Sequence, residues 1–138
     1  MIKHLPLRLP RITLVALLVM AGCADEGEVL TNTPPAHAGF QRDVLESKKL
    51  VVVDFGAKWC GPCQQQTPIL DRLSIELASQ VSVVKYDVDE ENKLADHYKI
   101  SDIPALLFFK NGKMVANRTG LHSLKDLKQL VDKFSNVP

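Results

Sequence analysis

Apolar positions along the chain alternate between short continuous runs and helical stripes. Leu50 to Phe55 is apolar throughout except for Asp54, the pattern of a strand buried on both faces, as in a parallel sheet. Val81 to Val88 reads as a second, β-branched strand and Ala105 to Phe109 as a third. Asn111-Gly112 is a two-residue hairpin turn that leads into a fourth strand, Lys113 to Arg118. From Cys60 to about Ser79 the period changes: Leu70, Leu73 and Leu77 recur at i, i+3 and i+7, with Ile69 and Ala78 beside them, which predicts a helix. Pro68 should kink that helix by removing a hydrogen bond. Shorter helices are predicted over Phe40 to Lys49, with Phe40, Val44 and Leu45 on one side, and over Asn92 to Tyr98. Ser123 can cap the last helix, with Asp126 in its first turn and Leu127, Leu130, Val131 and Phe134 as its buried stripe. The order α-β-α-β-α-β-β-α predicts an α/β fold, a mixed sheet with helices on both faces.

The first 22 residues follow another logic. Lys3, Arg8 and Arg11 precede the apolar run 12–21, and small residues close it. That is the layout of a secretory signal, and the run is about half the length of a membrane-spanning helix. Met20-Ala21-Gly22-Cys23 resembles the bacterial lipobox, in which cleavage precedes a Cys that then carries lipid. The alternative is an ordinary signal peptide cut after Gly22 or Ala24. Lipid on Cys23 implies attachment to a bacterial membrane outside the cytoplasm, with several acyl chains meeting the need for more than one. Residues 24–39 are small, polar and Pro-containing, with no helical period, and read as a tether. The expected organisation is therefore a lipoprotein-type signal over 1–22, a lipidated Cys and tether over 23–39, and one folded domain over 40–138.

Charge and cysteine count narrow the chemistry. Without residues 1–22 the chain carries 14 Lys and Arg against 16 Asp and Glu, a net of −2, which gives a nucleic-acid role no electrostatic support. Three Cys in an exported chain leave one over, and lipid on Cys23 resolves the count. His4, His37, His97 and His122 are scattered and read as surface residues, and zinc at Cys60 and Cys63 would need two further ligands. The acidic stretch Asp87 to Glu91 reads as a solvated loop.

The chemistry concentrates in Trp59-Cys60-Gly61-Pro62-Cys63, where the first strand gives way to a helix. Two thiols at this spacing can open and close a disulfide and so exchange electrons with other disulfides. Cys60 falls at the helix N-terminus, where unpaired N–H groups and the helix dipole favour the thiolate. Cys63, a turn further in and expected to be less exposed, is placed to resolve a mixed disulfide formed on Cys60. Pro62 stiffens the turn. No cofactor is expected, because the dithiol is the reagent.

From about Phe40 to Phe134 the chain resembles thioredoxin. The resemblance rests on Val53-Asp54-Phe55, Trp59 to Cys63, Pro68-Ile69-Leu70, Lys85 with Asp87-Val88-Asp89, Ile103-Pro104-Ala105, Phe109 to Lys113, and Gly120, in family order and spacing over about 95 of 138 residues. It implies a thioredoxin fold with four or five strands, since the family's first strand has no clear counterpart here. It implies that Asp54 is a buried carboxylate accepting the Cys63 proton through a water, with Lys85 as the partner of Asp54. Pro104 would be a cis-proline against the dithiol, and Ile103 would offer its backbone to an extended substrate. Trp59 would shield the sulfurs and touch substrate along with Gly61 and Pro62, and Gly120 would keep the groove open. Two departures stand out: Gly56 replaces a second Trp common in the family, and Gln64 replaces a Lys.

The implied function is reduction of protein disulfides by a monomer whose partners are disulfide-containing proteins. Outside the cytoplasm such a protein needs electrons, and a transmembrane thiol relay is the expected donor. Gly-Pro between the cysteines and Ile103 before Pro104 resemble reducing members, with potentials near −270 mV rather than the roughly −120 mV of an oxidising donor. The alternatives are a disulfide oxidase or isomerase, a reductase for cytochrome c maturation, whose members usually carry an insertion missing here, and a peptide-binding module with an incidental dithiol.

Overall fold

Strand β1 (Leu50–Gly56) forms the spine of the molecule, because its side chains are buried on both faces. The computed structural model describes residues 34–136, all within the unit that begins at Asn32. Cys23, the signal-like segment and most of the expected tether lie outside the described residues.

Before β1, helix α1 opens as one turn (Ala38–Phe40) and continues as a π-helical turn (Gln41–Leu45). It thus takes in Ala38 and Gly39, which were expected in the tether. His37 caps it: Nδ1 accepts the Phe40 N–H at 2.9 Å, and Nε2 lies 3.2 Å from the Glu91 carboxylate. This corrects the reading of His37 as a plain surface residue. The wider turn is closed by the Glu46 N–H on the Gln41 carbonyl at 3.0 Å, and it turns Phe40 and Val44 into the core.

The remaining elements are helix α2 (Gly61–Glu76), strand β2 (Val81–Asp87), helix α3 (Asn92–His97), strands β3 (Ala105–Lys110) and β4 (Lys113–Thr119), and helix α4 (Leu124–Ser135). The strands form one sheet in the order β2-β1-β3-β4, four-stranded among the described residues, with β1 and β2 parallel and the other pairs antiparallel. The mixed sheet and the element order are those the apolar pattern predicts. Helix α2 runs through Pro68 and stops at Glu76, short of Ser79, after which Leu77 to Gln80 turn into β2.

The period of two along β1 divides the core. Val51, Val53 and Phe55 pack with Phe40, Val44, Leu94, Leu107 and Phe109 on the face covered by α1 and α3. Leu50 and Val52 pack with Leu70, Leu73, Leu106, Phe108, Leu127 and Val131 on the face covered by α2 and α4. At roughly 1.5–3 kcal/mol per fully buried large apolar side chain, these two layers fix β1 in place. The site at its C-terminal end is therefore built on a rigid strand.

Two local devices set the chain ends of the sheet. Asn111 and Gly112 both adopt positive φ, 52° and 75°, as a tight hairpin requires. Ser123 and Asp126 form a reciprocal capping box at the start of α4, with the Asp126 N–H on Ser123 Oγ at 3.2 Å.

Candidate active site

Helix α2 begins where β1 ends, and Cys60 is its N-cap. The Cys60 backbone is extended, and its Sγ accepts the Cys63 N–H at 3.2 Å, satisfying one of the helix's free donors. Pro62 occupies the first turn, where its missing N–H leaves no helical bond unmade. Cys60 and Cys63 are joined by a disulfide with S–S 2.08 Å. Both residues are 5% exposed, so burial does not separate them as the sequence led one to expect. Their surroundings do. Cys60 Sγ lies 3.9 Å from the Ile103 carbonyl oxygen. Cys63 instead lines a pocket of about 360 Å³ together with Asp54, Gly56, Thr67 and Lys85.

The Ile103–Pro104 bond is cis, and Ile103 packs on the cluster of Ala57, Cys60 and Cys63. The Pro104 carbonyl accepts the Gly120 N–H at 2.8 Å. Gly120 has φ +85° and nothing within 4 Å of where a Cβ would stand. The next link was not read from the sequence. Gln66, fully buried on α2, accepts the His122 N–H at 2.7 Å and donates to the His122 carbonyl at 3.3 Å, pinning the loop after Gly120. Its signal was available: Gln66 stands four residues before Leu70, a polar residue in a buried stripe.

Trp59 is 70% exposed, and its Nε1 donates to Asp89 at 2.8 Å. Beside it Lys58 pairs with Glu90, and the Asp89 N–H bonds Asp87 Oδ1 at 2.9 Å. The acidic stretch is exposed only at Asp89 and Glu90, and it is more than a solvated loop: these two carboxylates bond Trp59 and Lys58. Among the described residues no cluster of three His, Cys, Asp or Glu is arranged for a metal.

Asp54 is 4% exposed, and its Oδ1 is buried without a hydrogen-bond partner. Burial pushes its carboxyl up to about 6, against an opposing pull from the Lys85 charge. The β1–β2 register sets Lys85 directly opposite Asp54. Yet the Lys85 ammonium pairs with Asp71 of α2, which corrects the expectation that it partners Asp54. The flexible Lys stem reaches the exposed carboxylate, where less solvation is lost. At Gly56 a Cβ would stand 3.2 Å from Cys63 Cβ and 3.4 Å from its Sγ, so this position lies directly against the second sulfur.

A disulfide held at a helix N-terminus, flanked by an open backbone segment and a buried carboxyl able to titrate near neutrality, has the parts for moving electron pairs between sulfurs. The class these features define is the thiol–disulfide oxidoreductase. Residues 31–133, three quarters of the chain, match the family described as Thioredoxin, and the chain belongs to the thioredoxin family and has its fold. It is 41% identical over 96 residues to a thioredoxin of Rickettsia felis, covering 70% of this chain and 91% of the relative. A thioredoxin of Rickettsia typhi is 42% identical over 94 residues, covering 68% and 90%. One of Acidithiobacillus ferridurans is 43% identical over 93 residues, covering 67% and 86%. The chain is accordingly a thioredoxin-type protein-disulfide oxidoreductase, and its substrates are disulfide-containing proteins.

Proposed function

We propose that this oxidoreductase works as a reductant of protein disulfides, held at a bacterial membrane outside the cytoplasm by lipid on Cys23. The observation that carries the chemistry is the position of Cys60 Sγ as the acceptor for the Cys63 N–H at the start of α2, which stabilises a thiolate there once the disulfide is reduced. The Cys60 thiolate attacks one sulfur of a substrate disulfide, forming a mixed disulfide and releasing the other substrate sulfur as a thiolate. Cys63 gives up its proton to Asp54 across the shared pocket, which is wide enough for water. The Cys63 thiolate then attacks Cys60 Sγ and frees the second substrate sulfur. The substrate gains two electrons and two protons, and the Cys60–Cys63 disulfide is restored.

The substrate chain lies extended along Ile103, whose carbonyl faces Cys60. Trp59, Gly61, Pro62, Pro104 and Gly120 border that groove. Restoring the dithiol takes two electrons from a donor, and a transmembrane thiol relay fits a protein placed outside the cytoplasm. The sequence 1–23 supports the location, through its basic start, apolar run and lipobox-like end. Equilibration with glutathione or dithiothreitol buffers tests the direction. A potential near −270 mV is expected, and one nearer −120 mV would mark an oxidase. Radiolabelled palmitate should enter the wild type but not Cys23→Ser, and equal labelling of both would refute the anchor.

A further inference from the structure

Two carboxylates and one ammonium, on β1, α2 and β2, are paired in an unexpected order beside the pocket that Cys63 lines. Asp54 on β1 and Lys85 on β2 are register partners and line the same pocket. Lys85 is the cation nearest in register to a carboxyl whose Oδ1 has no partner, yet its Nζ bonds Asp71 Oδ1 on α2. The pocket's other lining cation, Lys58, is taken up by Glu90. The remaining titratable groups facing the pocket are Cys63 from α2 and Tyr86 and Asp87 from β2, and none supplies a positive charge. From β3 the residue opposite Asp54 is Leu106, which is apolar and buried.

We propose that Asp71 is a positioning residue for the redox reaction: by holding the Lys85 ammonium against α2, it leaves the Asp54 carboxyl unpaired and able to exchange a proton with Cys63. An ammonium seated on Asp54 would lock it as a carboxylate, a poor proton acceptor. With Lys85 drawn aside, the charge still reaches Asp54 through space but does not neutralise it. Asp71 touches no reacting atom and acts only through where it keeps Lys85. This inference rests on the reading of Asp54 as the proton acceptor for Cys63.

The test follows the Asp54 carboxyl by carbon NMR in the oxidised full-length protein, where neither Cys60 nor Cys63 titrates. Wild type, Asp71→Asn, Lys85→Met and the double variant are compared from pH 4 to 9. In Asp71→Asn the Asp54 midpoint should fall by about one unit as Lys85 swings onto it. In the Lys85→Met background the same substitution should move it by less than a third of that. An unchanged midpoint in Asp71→Asn overturns the inference. So does an equal fall in both backgrounds, since Asp71 would then act only as a nearby like charge. The pH profile of disulfide reduction should shift in Asp71→Asn with the NMR midpoint, and a fixed profile against a moved midpoint also overturns the inference. An Asp54→Asn variant that keeps the wild-type rate profile defeats the reading of Asp54 itself, and the NMR midpoints separate that failure from a failure of Asp71 to position Lys85.

Discussion

The Cys63 backbone N–H donates to Cys60 Sγ at 3.2 Å, so the first sulfur of the pair is also the cap of the helix that carries the second. On reduction that N–H acts on Cys60 and not on Cys63, and Cys60 stands at the positive end of the helix dipole. In the fully reduced protein at pH 7, iodoacetamide should therefore modify Cys60 about tenfold faster than Cys63, as read by peptide mass spectrometry after quenching at intervals. Equal rates would show that the cap does not activate Cys60.

Asp54 links the site to stability. Burial raises its folded carboxyl from 3.8 to about 6, so its contribution is fully present below about 3.8 and is lost as pH rises through about 6. Above that pH the protein carries a buried, unpaired carboxylate. Asp54→Asn should be more stable than wild type by about 2–3 kcal/mol at pH 8, with the difference vanishing near pH 4. Urea denaturation at the two pH values measures it, and a difference independent of pH would rule out the charge as its cause.

Gly112 is required by backbone geometry. Its φ is +75°, and a Cβ there would stand 2.7 Å from the Leu45 carbonyl oxygen, pressing the hairpin against α1. Gly112→Ala should cost about 2 kcal/mol or more in chemical denaturation. Gly61 has nothing within 4 Å of an added Cβ and lies in α2, so Gly61→Ala should be neutral or stabilising by about 0.5 kcal/mol. Equal losses in the two would contradict the steric argument.

At the start of α4, Ser123 Oγ satisfies the Asp126 N–H and Asp126 Oδ2 reaches back to the Ser123 N–H at 3.3 Å. Ser123→Ala removes half of that exchange and should cost about 1 kcal/mol. A thermal melt that does not move would show the box to be idle.

Much of this was legible in the sequence because it depends on period and on local chemistry. The alternation along Val51, Val52 and Val53 fixes which side chain enters which layer, and only a strand covered on both faces accommodates it. The dithiol at the end of β1, the Asn111-Gly112 turn and the Ser123 cap are equally local. What escaped depends on where long side chains come to rest. Lys85 is opposite Asp54 in register, but its four-carbon stem lets the ammonium choose Asp71. The Gln66–His122 link joins residues 56 apart in sequence: a polar residue in the buried stripe of α2 marks Gln66, but no local pattern names its partner. The π-helical turn in α1 arises from a Gln41–Glu46 closure that a 3.6-residue period does not register.

The division of labour between the two sulfurs is tested most directly by a covalent trap. Full-length Cys63→Ser, reduced and mixed with oxidised insulin, should accumulate a mixed disulfide through Cys60 that dithiothreitol releases. Cys60→Ser should form none and should not reduce insulin. Turnover at the wild-type rate by Cys60→Ser, or an absence of any adduct on Cys60 in Cys63→Ser, would contradict the assignment of Cys60 as the attacking sulfur.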